Sequence, residues 1–360
     1  MKKLIISFSV ALSFFILSCT GDDVNDPVVI GPLCNVVPVN ADIDSPTVWK
    51  AGSVYVITDD LIVRNVLTIE AGAIIKISDA RIEVVNGGKI TANGTPENHI
   101  TFTSLKDDSY CGDSNNNGTA TTAQKGDWVS IYLHGGTNHM FKYCDILYAG
   151  KDGGGYRNAV VIASNALSFT FDHCTFAHTA SGTGNSDFAF HGSNMNDNNV
   201  SVFTNNAFYN NDRPLYVNSN YSLDASNIFH NPANVAQKNT RNGIYIWDST
   251  KNNTIVSWNI TEVPYVVDAF NQGGFNNILN IGANVVVKFK GTTSGLVFQA
   301  TRPVNVHPSA WLTSYYDDIH GGDTNGDGNG AIPAFGDWDG FFNSDPNVYV
   351  TAPNILYDNH

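Results

Sequence analysis

Two stretches of this 360-residue chain crowd hard oxygen donors onto glycine-rich loops, and they are near copies of each other. Residues 107–128 read DDSYCGDSNNNGTATTAQKGDW, and residues 317–338 read DDIHGGDTNGDGNGAIPAFGDW. They align without a gap at a separation of 210 positions, which pairs Asp107 with Asp317, Asp108 with Asp318, Asp113 with Asp323, Asn115 with Asn325, Asp127 with Asp337 and Trp128 with Trp338. Carboxylate and amide oxygens at alternate positions, with glycine at the turns, are the donor set that Ca²⁺ requires. Asp323, Asn325 and Asp327 followed by Gly328 match the first half of an EF-hand-like loop. The bidentate Glu expected at the twelfth position is missing, because Ala334 stands there. Asp337 is expected to supply that carboxylate, with Asp317 or Asp318 closing the shell. The first loop carries Asn117 where the second has Asp327, so it offers one charge fewer and is expected to bind more weakly. The expected ligands are Asp107, Asp108, Asp113, Asn115, Asn117 and Asp127 in one loop, and Asp317, Asp318, Asp323, Asn325, Asp327 and Asp337 in the other. The competing reading is an Asx-rich loop that satisfies only its own backbone. Trp128 and Trp338 read as packing anchors beneath the loops.

Residues suited to proton transfer are fewer. Tyr148, His178, Asn210 and His230 recur at one equivalent position, with Asp172, His173, His191, Asp212, Arg213 and Arg241 in the same region. A Tyr/His column could exchange protons, but an exposed polar ladder is the simpler reading. Neither a paired-carboxylate signature nor a GxSxG nucleophile elbow accompanies it, so no catalytic residue is assigned. The segment from Gly150 to Arg157 (GKDGGGYR) reads as an insertion at a corner rather than a substrate loop.

The elements that must position these residues are short. Val54–Ile57, Leu61–Val63, Leu67–Ile69, Ile74–Ile77, Ile82–Val85, Lys89–Ala92 and Ile100–Thr103 are runs rich in Ile, Val and Thr, broken by Gly, Asn or Asp, which predicts strands. No sustained helical period is present. The duplication extends beyond the loops: Pro264–Val267 aligns with Val54–Ile57, and Val287-Lys288-Phe289 with Ile75-Lys76-Ile77. Residues 46–130 and 255–340 are therefore two copies of one module, flanking middle coils over 131–254. There Ile146, Phe176, Phe208 and Ile228 sit in similar strings at spacings of 30, 32 and 20. Equal core strings at unequal spacing are what a solenoid tolerates, since insertions leave at its corners. An antiparallel β-sandwich is the competing architecture.

With its LTIEAGAIIKI, GGKITANGTPENHITFTS, GGDTNGDG and GDW strings, the chain resembles right-handed parallel β-helix repeat proteins of the bacterial envelope. The resemblance implies an all-β, right-handed parallel β-helix with inserted acidic loops, one domain over residues 46–345, and a cap or tail at 346–360. It implies stacked positions for Cys144 and Cys174, read as buried small hydrophobes. Cys34, Cys111, Cys144 and Cys174 otherwise allow three pairings, and none has the CxxC spacing of a zinc site.

The ends and the composition narrow the partners. Lys2 and Lys3 precede an apolar run, Leu4 to Leu17, that is too short for a stable span and reads as a signal peptide over 1–18. Ile16-Leu17-Ser18-Cys19 resembles a bacterial lipobox, which would make Cys19 the lipidation site and 19–45 a tether. Asp22-Asp23 resembles a tag for the outer face of the outer membrane. A net charge of −14, with Lys and Arg totalling 19, argues against nucleic acid as a partner. These features lead to an expectation of a non-catalytic surface lipoprotein, stiffened by Ca²⁺, that adheres, scaffolds or binds polysaccharide. The alternative is a polysaccharide lyase or glycoside hydrolase using the middle coils.

Overall fold

Runs of three to five apolar and β-branched residues, each ended by a turn residue, leave little room for anything but short strands stacked on one another. The computed structural model describes residues 34–153, 157–162, 168–180, 187–195, 200–247, 255–268 and 278–360. The expected leader, Cys19 and the tether as far as residue 33 lie outside these residues, as do positions 154–156 of the Gly150–Arg157 segment. Among the described residues there is no helix, and most strands pair in parallel.

Three long parallel sheets carry the fold. A seven-stranded sheet runs from Asn35–Pro38 to Ala207–Tyr209, a ten-stranded sheet from Leu61–Val63 to Trp311–Ser314, and a six-stranded sheet from Thr47–Trp49 to Ser201–Thr204. Consecutive strands fall in successive sheets. Ser53–Ile57, Leu61–Val63 and Val66–Glu70 lie in three different sheets before Ile74–Ile77 returns to the first. That cycle is consistent with a β-helix. Among the described residues, antiparallel strand pairing is confined to His230–Asn231 with Asn234–Lys238 and to Gly340–Asn343 with Val348–Tyr349, which does not make a sandwich of antiparallel strands.

The interior is filled by aliphatic and phenylalanine ladders. Phe141 stacks on Phe171 with centroids 4.6 Å apart, and Phe176 on Phe208 at 4.8 Å, close to the spacing of neighbouring strands. Cys144 and Cys174 are buried free thiols on neighbouring rungs of this core, while Cys34 and Cys111 form a disulfide. At the corners the chain turns through left-handed residues repeated coil after coil: Tyr143, His173 and Asn205 on one side of the strand, Tyr148, His178 and Asn210 on the other. Buried asparagines cap the same corners. Asn211 accepts from the Thr179 amide and donates to the Phe176 carbonyl and to Asn239, and Asn206 acts similarly between Cys174, Phe171 and Asn227.

Residues 34–45, read from sequence as part of the tether, belong to the sheets: Asn35–Pro38 pairs with Ser53–Val56, and Ile43 bridges Val63. At the other end Ile355 bridges Leu312 and Asp358 bridges Trp338, so the final segment folds back onto the last strands.

The two copies share one register. In the first, Val56 pairs with Lys76 and Lys76 with Thr103; in the second, Val266 pairs with Lys288 and Lys288 with Thr313. Each copy opens on a tryptophan stacked on a tyrosine, Trp49 on Tyr55 at 4.7 Å and Trp258 on Tyr265 at 4.8 Å. The first ladder lies in the seven-stranded sheet and the second in the ten-stranded sheet.

Candidate metal centres

Each acidic loop leaves the third strand of its ladder, Ile100–Ser104 or Trp311–Ser314, and is pinned to it at both ends. Thr103 Oγ1 donates to Asp107 at 2.6 Å and Ser104 Oγ to Asp127 at 2.6 Å; Thr313 and Ser314 make the same bonds to Asp317 and Asp337 at the same distances. Two adjacent hydroxyls thus fix the first and last carboxylates of a loop. Beyond them the indole N–H of Trp128 donates to the Leu147 carbonyl and that of Trp338 to the Leu356 carbonyl, with both rings fully buried.

A buried lysine holds the middle of each loop down. Lys76 Nζ donates to the Gly112 carbonyl at 2.7 Å and Lys288 Nζ to the Gly322 carbonyl at 2.5 Å. Burial lowers both ammonium groups from the ordinary lysine range, partly offset by nearby aspartates, and it pushes Lys288 down to about 8. The duplication aligns these lysines, but nothing in the sequence marks them as part of the loops' support.

Asp113 and Asp323 close the turns. Asp113 accepts from the amides of Asn117 and Gly118, and Asp323 from those of Gly326, Asp327 and Gly328. Gly118 and Gly328 both sit at φ 65, the left-handed conformation that suits glycine and turns each amide onto the carboxylate. The Gly118 amide is the largest cause of the lowered Asp113 pKa.

What remains are oxygens without partners. In the first loop Asp108 Oδ1, Asn115 Oδ1 and Asn117 Oδ1 are buried and accept no hydrogen bond. Thr121 orients two of them, because its hydroxyl accepts from the amide nitrogens of Asn117 at 2.8 Å and Asn115 at 3.4 Å. In the second loop Asp318 Oδ1 is likewise buried and unpartnered, and Asp318, Asp323 and Asp327 bring carboxylate oxygens within 4.8 Å of one another. Burial, followed by the charge of Asp323, raises the Asp318 pKa. Buried acceptors without a donor cost free energy, and crowded carboxylates repel; a hard divalent cation relieves both. The donor set is all oxygen, as Ca²⁺ favours.

The expected ligands therefore divide. Asp108, Asn115, Asn117 and Asp318 keep buried oxygens without donors, while Asp323 and Asp327, whose oxygens accept backbone amides, crowd beside Asp318. Asp107, Asp127, Asp317 and Asp337 are held by the strand hydroxyls, Asp127 also by Lys106 at 2.7 Å and Asp317 by His320. Asn325 has its amide on Asp327 Oδ2 and its oxygen on the Asp327 amide.

Along the middle coils Tyr148 and His178 are stacked at 4.9 Å and Tyr143 and His173 at 4.6 Å. His230 does not continue the column; it lies in the antiparallel hairpin and contacts Glu262 at 2.6 Å. Asp172 is bonded to Thr204, Asn205 and His173, Asp212 pairs with Arg241, and the buried Arg213 lies 4.6 Å over the Phe188 ring. Comparison with protein-family models, curated proteins and solved structures finds no match to the chain.

Proposed function

We propose that the chain is a non-catalytic surface lipoprotein, a right-handed parallel β-helix stiffened by Ca²⁺ in two acidic loops, which presents its coils to polysaccharide or other cell-surface components. The observation that carries this reading is the duplicated cradle. Two loops 210 positions apart use the same pins, the same buried lysine and the same turn carboxylate; three buried oxygens of the first and one of the second are without donors. A loop that merely satisfied its own backbone would have no use for those oxygens. The lipobox-like sequence ending at Cys19 supports the reading of a membrane anchor. A panel of polysaccharides assayed for binding and for product release, with and without EDTA, tests the reading: it expects calcium-dependent binding with no product. Cys19→Ser should release the protein from the membrane fraction.

One observation favours the second reading, a polysaccharide lyase or glycoside hydrolase. The first acidic loop carries Lys125 and Asp107 into electrostatic range of His178, whose imidazole burial shifts below the ordinary histidine range. Product release by the wild type that His178→Ala abolishes would establish it.

A further inference from the structure

The ten-stranded sheet presents an outward ladder in which Glu83, Tyr132, Val161, His191 and Tyr216 are successive cross-strand neighbours. Val161 is the shortest of these side chains and stands between two rings. Tyr132 and His191 are two rungs apart, about 10 Å, so the valine forms the floor of a slot with an aromatic wall on either side. A pocket of ≈ 260 Å³ opens there, lined also by Arg81, Ser130 and Asn194.

Its chemistry is mixed and without uncompensated charge. Arg81 donates from Nε to Asp60 at 3.0 Å. Burial pushes His191 down to about 4, so at neutral pH its imidazole is uncharged, and its Nδ1 lies 3.5 Å from the Ser193 hydroxyl. Asn194 commits its amide nitrogen to the Ile162 carbonyl at 3.0 Å, which leaves its oxygen to accept. Apolar walls with a few convergent polar groups are the usual form of a small-ligand site. An aromatic face beside neutral donors and acceptors suits a ligand with one apolar C–H face and a rim of hydroxyls.

We propose that this pocket binds one pyranose unit of an uncharged saccharide, either free or as part of a polymer. The proposal rests on the glycan-binding reading above and gives that reading a place and a ligand class. Val161 sets the depth of the slot, Tyr132 offers a ring to the sugar's C–H face, and Ser130, His191 and Asn194 meet its hydroxyls.

The test uses the calcium-loaded full chain, titrated by calorimetry with methyl glycosides of neutral hexoses and N-acetylhexosamines, with uncharged polysaccharides, and with uronate polymers. The wild type should bind at least one uncharged member. Val161→Phe, which fills the slot from an outward strand position, should weaken that binding at least tenfold, and Tyr132→Ala should do the same with its melting temperature near wild type. Val235→Ala, an exposed position outside the pocket, should bind as wild type does. Binding of a methyl glycoside identifies a single sugar as sufficient; binding of a polymer alone, lost in Val161→Phe, identifies a chain or branch unit. If Val161→Phe binds as tightly as wild type, the pocket is not the site while the glycan reading stands. If the wild type binds only uronate polymers, the ligand class is wrong. If it binds nothing in the panel, both the pocket and the glycan reading fall, and the calcium-stabilised scaffold is untouched.

Discussion

At the scale of single residues the acidic loops separate oxygens that hold the backbone from oxygens that hold nothing. Asp107 and Asp317 are bonded to strand hydroxyls, whereas Asp108 and Asp318, one position later, each leave a buried oxygen unpartnered. This division predicts opposite effects of neighbouring substitutions. Asp318→Asn should abolish calcium binding at the second loop yet leave the calcium-free fold as stable or more so, because it relieves carboxylate crowding. A melting curve in EDTA that drops sharply for Asp318→Asn would contradict that assignment. Lys288 gives a pH signature. It titrates near 8 when folded and near 10.4 when unfolded. Between those values the unfolded chain holds the proton and the folded chain does not, so stability rises with pH through that window, by up to about 1.4 kcal/mol per unit. The difference in unfolding free energy between wild type and Lys288→Met should therefore climb from pH 8 to pH 10 in calcium-free buffer, as read by urea denaturation. A flat difference would place the ammonium in water.

At the scale of elements the fold rests on ladders, and much of their pattern is legible in the sequence. Ile146, Phe176 and Phe208 do pair on successive strands, and Ile77 and Phe289 occupy matching places in the two copies. The string ending at His230 misleads, for a local reason. Ile228 lies opposite Ala207 rather than Phe208, so that Phe229 is the residue stacked on Phe208; Pro232 then follows, has no amide to donate, and the chain turns back into a hairpin. The role of Lys76 was not legible because a lysine among isoleucines reads as an outward residue of a strand; only the loop laid over it buries it. The pairing of Cys34 with Cys111 was not legible because the sheets begin earlier, at Asn35, than the apolar pattern suggests. Asn211 meets three partners at a buried corner, so Asn211→Ala should cost about 3 kcal/mol or more, since it leaves backbone groups unsatisfied. Replacing Cys34 and Cys111 together by serine should cost about 2–4 kcal/mol. Chemical denaturation measures both, and a loss below about 1 kcal/mol for Asn211→Ala would show that water replaces the amide at the corner.

At the scale of the whole molecule, a chain of net charge −14 concentrates carboxylates in two loops that close its two repeated modules. Each loop is pinned at both ends to the third strand of its ladder, so an ion that rigidifies a loop also braces that ladder. A ligand that binds only the folded state stabilises it in proportion to the logarithm of its concentration, by about 2.7 kcal/mol at a hundredfold excess over Kd. The most direct measurement is a calorimetric titration of calcium into the chelator-stripped chain, paired with melting temperatures in calcium, in EDTA and in magnesium at matched ionic strength. The expected result is two unequal calcium sites and a melting temperature raised by calcium well beyond the magnesium control. Asp323→Ala with Asp327→Ala should remove the tighter site, and Asp108→Ala the weaker. No heat of binding at millimolar calcium, with the same melting temperature in calcium and in EDTA, would contradict the metal-centred reading and leave both loops as self-satisfied turns.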